Sequence, residues 1–228
     1  MYTSHMPRIA RAVAAGFPHH IVQRGNNRGN VFFNPEDRAV YLYLVKRYAE
    51  KWDTSIICYC LMINHVHLLA KPSSEESLQK MMQGLTLCYA QHINRKYRRT
   101  GRLWESRYHS CVVDQEAYLW AVARYIEQNP VRATIAENPE DYPYSSARAH
   151  FGLVRDPVLG EDLFPEIQRN DYIEFMKTSI PVEQIEDIRQ GSRTGRPLGN
   201  DSFVKQIERS LGKRLAALPI GRPRKEPQ

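Results

Sequence analysis

The chain has no run of about eighteen apolar residues, so no membrane-spanning helix is expected. It shows no charged-then-apolar leader with a small-residue cleavage site, so no signal peptide is read. There is no internal repeat. Cysteine is scarce: the four are Cys58, Cys60, Cys88 and Cys111. None forms a Cys-x-x-Cys pair, which excludes zinc-ribbon and thioredoxin-like motifs. Cys58 and Cys60 alternate within an apolar stretch, as buried thiols do, and a reducing cytoplasm is the expected compartment.

What is present is an ordinary globular composition, 42% hydrophobic and 25% charged over 228 residues. That suffices for one sizeable domain with extensions. The net charge is +7, and its distribution says more than the total. Residues 189–228 hold ten Lys/Arg against three Asp/Glu, so residues 1–188 are neutral overall. Within the neutral part, residues 95–107 hold six basic residues against Glu105, while residues 137–188 hold twelve acidic against four basic. Two separate basic segments point to a polyanion partner.

Residues 19–24 read as a first strand, followed by a Gly/Asn loop over 25–30 suited to positive φ. Val40, Leu44, Val45, Tyr48 and Trp52 recur at helical spacing over 36–52. Residues 55–62 and 65–70 form a hairpin that turns at Asn64. Ser73 with Glu76 suggests a capping box opening a helix to about residue 97. Residues 107–113 read as a strand, and 115–129 as a helix stopped by Pro130. The order β-α-β-β-α-β-α predicts an α+β fold, a ferredoxin-like antiparallel sheet with helices on one or both faces. Beyond it, 189–200 reads as a linker, 202–211 as a helix and 221–225 as a basic tail.

Two patterns carry chemistry. In Asn64-His65-Val66-His67-Leu68-Leu69, residues i and i+2 of a strand share a face, so His65 and His67 present paired imidazoles suited to one divalent cation. In Tyr125-Ile126-Glu127-Gln128-Asn129-Pro130, residues four apart share a helix face, so Tyr125 and Asn129 can reach one site, as nucleophile and ligand. Taken singly, each pattern also fits a structural role: a histidine pair held by backbone partners, and a core tyrosine. Glu127 and Gln128 fall off that helix face and are expected in solvent, and His19 and His20 read as strand residues or contacts near the active face rather than ligands.

Together the two patterns resemble the HUH endonuclease superfamily and, more narrowly, the REP-associated tyrosine transposases of its single-tyrosine group. The stretches that carry the resemblance include His20-Ile21-Val22-Gln23-Arg24-Gly25-Asn26, the His65/His67 strand, Gly101-Arg102-Leu103-Trp104, Arg107-Tyr108, Tyr125 through Ala133, and Tyr144-Ser145-Ser146. The segment Gly195-Arg196-Pro197-Leu198-Gly199 and the helix after it are similar to that family's C-terminal extension. The resemblance implies the HUH nuclease fold, a transposase catalytic domain over 6–152, an acidic helical extension over 153–188 and a basic linker, helix and tail over 189–228. It implies Tyr125 as nucleophile, His65, His67 and Asn129 as ligands of Mg²⁺ or Mn²⁺, and a 5′-phosphotyrosine intermediate. The related transposases often have Gln where this chain has the shorter Asn129.

The expected partner is single-stranded or hairpin DNA, the protein acting as a monomer or weak dimer in a cytoplasmic, nucleoid-associated setting. Arg95, Lys96, Arg98, Arg99, Arg102 and Arg107 around Trp104 combine phosphate pairing with aromatic stacking. Asn27 and Arg28 are offered by the Gly/Asn loop, with Arg24 beside it. Arg196, Arg222 and Arg224 complete the expected contacts on the C-terminal side. The competing readings are another HUH nickase, such as a replication initiator, and a catalytically silent DNA-hairpin-binding protein.

Overall fold

The computed structural model describes residues 12–215. Four strands, β1 (His19–Arg24), β2 (Thr54–Met62), β3 (His65–Pro72) and β4 (His109–Val112), form one antiparallel sheet in the order β2-β3-β1-β4. The expected α+β architecture with an antiparallel sheet is the one found. The sheet is covered on both faces. On one lie α1 (Pro35–Lys51) and α2 (Glu75–Lys96), which bury Tyr41, Leu44, Val45, Leu78, Met81, Leu85 and Tyr89 against Ile21, Leu61, Val66 and Leu68.

These helices form where local chemistry starts and stops them. Asn34 accepts from the Asp37 amide, the Asp37 carboxylate accepts from the Asn34 amide, and Pro35 presets the first turn of α1. For α2 the cap is Ser74, whose hydroxyl accepts from the Ser77 amide, so the helix starts one residue later than the Ser73–Glu76 spacing suggests.

The other face carries α3 (Leu119–Glu127), with α4 (Asn129–Arg132), α5 (Ala147–His150), α6 (Arg169–Lys177) and α7 (Val182–Thr194) following in the chain. Leu119, Val122, Ile126, Tyr172, Met176 and Ile188 pack there on Cys58, Cys60, Leu69 and Cys111. All four cysteines are free, and Cys58, Cys60 and Cys111 are buried. The helix α8 (Asp201–Leu211) packs Phe203 and Ile207 on Ala12, Ala14 and Val112.

Two expectations are corrected. Pro130 does not end the helical path: α3 ends at Glu127, and Pro130 lies in the first turn of α4, where its missing N–H costs nothing. Residues 189–194 are not linker but the end of α7, because Ile188, Gly191 and Ser192 are buried against the sheet. No helix among the described residues is long and apolar enough to cross a membrane.

Both edges of the sheet are occupied. The Leu61 amide donates to Tyr144 O at 2.9 Å and the Ser146 amide to Tyr59 O at 3.0 Å, so residues 144–146 run along the β2 edge. On the far side the Leu198 amide donates to Val112 O and the Asp114 amide to Leu198 O, each at 2.8 Å, and Val113 pairs with Leu198 beside β4. Closing both edges removes the row of unpaired backbone groups that would otherwise template aggregation.

Candidate active site

The face of the sheet under α3 holds the site. Directly opposed residues of an antiparallel pair point the same way, and β1 aligns with β3 so that Val22 faces His67 and Arg24 faces His65. On the other side of β1, Val22 also faces His109 of β4. His65 and His67 lie on this face with ring centroids 5.0 Å apart, while Val66 belongs to the core on the opposite face. The turn before β3 is tied to the loop after β1 by the Gly25 amide donating to Asn64 O at 2.8 Å. A Cβ on Gly25 would meet Gly29 O at 2.1 Å, so only glycine permits that closure. The positive φ expected in this loop falls on Asn27 and Arg28, not on its glycines.

Tyr125 comes from the last turn of α3. Its ring lies 5.8 Å from that of His67 and 5.9 Å from that of His20, nearly perpendicular to both. The Arg132 guanidinium sits 4.3 Å over the Tyr125 ring and donates to Tyr125 O at 2.7 Å. The Asn129 amide nitrogen donates to Tyr125 O at 3.0 Å and Ile126 O at 3.1 Å, satisfying carbonyls left open where α3 ends. Tyr125 is thus held through its backbone by the two residues that follow it into α4.

A pocket of about 490 Å³ gathers these groups: His65, His67, Tyr125 and Asn129 all line it. Arg24, Arg132, Arg189 and Arg193 line it too, with Glu105 the one acidic residue beside them. An arginine-rich pocket of this kind favours an anion.

The electrostatics keep the imidazoles neutral. Burial lowers His65 to about 4, with the nearby Arg24 charge acting the same way, and burial lowers His20 to about 3. Burial, then the neighbouring His65, His20, Arg132 and Arg24, pushes His67 well below the ordinary histidine value. A neutral imidazole has the lone pair that a metal needs. His65 Nδ1 donates to Asn64 Oδ1 at 2.7 Å, an orientation fixed because Asn64 Nδ2 donates to Arg28 O, and this leaves the His65 lone pair on Nε2. Because the Asn129 nitrogen is engaged by the backbone, Oδ1 is the atom it has left to offer. Among the described residues no group of three or more His, Cys, Asp or Glu forms a metal cage. Two imidazole nitrogens and one amide oxygen instead fit an open site, completed by water and substrate oxygens.

The residues expected to touch DNA divide. Arg24 lines the pocket, and Asn27, Arg28, Arg95, Arg98, Arg99, Arg102 and Arg107 are exposed. Lys96 is engaged by the protein: its Nζ lies 2.7 Å from the buried Asp37 carboxylate. Trp104 is corrected as a stacking platform. It is 8% exposed, packs with Tyr41 and Tyr89, and donates to Thr86 O at 3.2 Å, so its faces are not open to bases. Arg196 is half-buried beside α7, and Arg222 and Arg224 lie outside the described residues. Sequence reasoning missed Glu105, Arg132, Arg189, Ser192 and Arg193 as pocket residues. For three of these a signal existed: Arg189, Ser192 and Arg193 fall at i, i+3 and i+4, one face of a helix.

No curated protein matches the chain. A solved REP-associated tyrosine transposase bound to a REP hairpin shares its fold, with a TM-score of 0.52 at 14% identity over 70% of this chain and 94% of that one. A candidate transposase from Deinococcus radiodurans R1 aligns at a TM-score of 0.38 and 17% identity, over 54% of this chain and 97% of that one. The family model described as IS200-like transposase matches residues 15–129, from before β1 to the start of α4. That span takes in both histidines, the tyrosine and Asn129 and makes up just over half of the chain, so the protein is a member of the IS200-like transposase family.

Proposed function

We propose that the protein is a REP-associated tyrosine transposase: a metal-dependent single-strand DNA endonuclease and strand-transferase that cleaves beside hairpin-forming repetitive palindromes. The observation that carries this reading is the convergence of Tyr125, His65, His67 and Asn129 on one arginine-lined pocket. The fold neighbour was solved with a REP hairpin, and hairpin or single-stranded DNA is the partner assigned to this chain. Membership of a transposase family favours this over a replication initiator.

A phosphodiester is an anion and resists attack by an oxygen nucleophile until its charge is offset. Arg24, Arg132, Arg189 and Arg193 draw the phosphate into the pocket and orient it. His65, His67 and Asn129 would hold Mg²⁺ or Mn²⁺, which would supply Lewis-acid polarisation of a phosphoryl oxygen. The Tyr125 hydroxyl oxygen forms a new bond to phosphorus and loses its proton to solvent. The bond from phosphorus to the 3′ oxygen breaks, and that oxygen takes the electron pair and a proton from water to leave as a 3′-hydroxyl. The resulting 5′-phosphotyrosine ester retains the bond energy, so an incoming 3′-hydroxyl can reverse the step and join DNA without ATP. One tyrosine holds one DNA end, so two cleavages require sequential use or a second subunit of a weak dimer.

The test is a denaturing gel with end-labelled hairpin DNA carrying a single-stranded flank. In Mg²⁺ or Mn²⁺ we expect a covalent protein–DNA band that EDTA abolishes and that Tyr125→Phe lacks. A band that survives Tyr125→Phe overturns the nucleophile assignment. Hairpin binding without cleavage in every metal tried leaves the silent DNA-binding protein as the better reading.

A further inference from the structure

The site contains a hydrogen-bonded chain that reaches outside the family match. His20 Nε2 lies 2.9 Å from His67 Nδ1, and His20 Nδ1 lies 2.7 Å from Ser192 Oγ. Ser192 Oγ in turn lies 2.8 Å from Ile188 O, one turn back along α7, and 3.8 Å from Cys111 Sγ. His20, His67 and Ser192 are 1%, 4% and 6% exposed, so each polar atom must find its partner within the protein.

Counting hydrogens settles the direction. Ile188 O can only accept, so the Ser192 hydroxyl donates to it. The Ser192 oxygen then accepts from His20 Nδ1–H, and the Cys111 thiol can donate to the same oxygen. A neutral His20 with its hydrogen on Nδ1 has its lone pair on Nε2, which accepts from His67 Nδ1–H. Each of the short contacts receives one hydrogen in this arrangement. Reversing the chain would leave Ser192 Oγ and Ile188 O facing each other at 2.8 Å as two acceptors with no hydrogen between them.

We infer that Ser192 and His20 are positioning residues that set the tautomer of His67, directing its Nε2 lone pair to the metal. His65 reaches the same state through Asn64, in a chain that ends on Arg28 O. Both histidines therefore offer Nε2, and each tautomer is anchored on a backbone carbonyl. Outer partners of this kind fix the orientation and basicity of a ligating imidazole. The metal half of the inference rests on the proposed function, whereas the tautomer half does not. Ser192 stands 172 residues from His20, so the C-terminal extension sets a ligand of the catalytic face.

Nitrogen-15 NMR of labelled histidine in the metal-free protein reads the tautomers directly, and electron paramagnetic resonance titration reads Mn²⁺ binding; neither depends on DNA cleavage. In the wild type His67 is expected as the Nδ1–H tautomer. Ser192→Ala is expected to mix the His67 tautomers and weaken Mn²⁺ binding by roughly 10- to 100-fold. Ser192→Thr keeps the hydroxyl and is expected to restore both. A wild-type His67 carrying its hydrogen on Nε2 overturns the inference, as does a Ser192→Ala protein with an unchanged His67 tautomer. An Nδ1–H His67 that responds to Ser192→Ala in a protein that binds no Mn²⁺ supports the chain and overturns the metal reading instead.

Discussion

Glu127, two residues past the proposed nucleophile, is completely buried. Its carboxylate accepts from Ser146 Oγ at 2.5 Å, His150 Nδ1 at 2.6 Å and Tyr172 OH at 2.9 Å. Helical spacing placed it in solvent, because on α3 alone it points away from Tyr125. The partners that bury it lie 19, 23 and 45 residues later, beyond any local pattern. Glu127→Ala strands those donors in the interior and should cost about 3 to 5 kcal/mol, read as a lower urea midpoint; a midpoint within error of wild type rejects the role. Two buried histidines of β1 make stability depend on pH. Burial lowers His19 to about 4 from 6.5, despite its hydrogen bond to Phe17 O. The unfolded chain therefore binds more protons between those values, so stability is full above about pH 6.5 and falls as pH drops toward 4. His19 alone contributes about 3 kcal/mol over that window, and His20, also lowered, adds in the same direction. Urea titrations of the metal-free protein at pH 7.5 and 4.5 check this, and equal midpoints would count against it.

Among the elements, those with strong internal signals were legible. The β2–β3 hairpin and helices α1 and α2 follow from alternation, helical spacing and capping side chains, with errors of a residue or two at their ends. The α3–α4 break was not legible, because it depends on Asn129 turning its amide back onto α3. The end of helix α7, residues 189–194, was missed for a different reason. Gly191 and the surrounding arginines look like linker composition, yet a Cβ on Gly191 would meet Leu198 at 2.6 Å. That glycine serves close packing, and the packing carries Arg189 and Arg193 into the pocket. If they hold phosphate, Arg189→Ala with Arg193→Ala weakens hairpin binding and flattens the dependence of log affinity on log salt by roughly 1.4, about 0.7 for each contact with a single strand. Weaker binding with an unaltered slope would show that the two arginines do not contact the backbone.

Over the whole molecule, the described chain beyond residue 152 packs into the same cores as the sheet. Leu163, Phe164, Tyr172, Met176, Ile188 and Leu198 are buried in one core with Cys58, Leu69, Val122 and Ile126. Residues 6–152 were expected to form the catalytic domain, but cutting there uncovers that core and opens the β4 edge that Leu198 covers. A fragment ending at residue 152 should bind a hydrophobic dye and lose its sharp thermal transition. A fragment with a sharp transition and no dye binding would show instead that the later helices are an independent addition.

Which side chains share a strand face or a helix face is settled by backbone periodicity alone, so the pairing of His65 with His67 and the order of strands and helices along the chain could be read from the residues. Which nitrogen of His67 carries the hydrogen, what buries Glu127 and which arginines enter the pocket could not. Those depend on contacts such as His20 with Ser192, 172 residues apart, and such contacts exist only once the summed packing of the whole chain brings α7 onto the sheet.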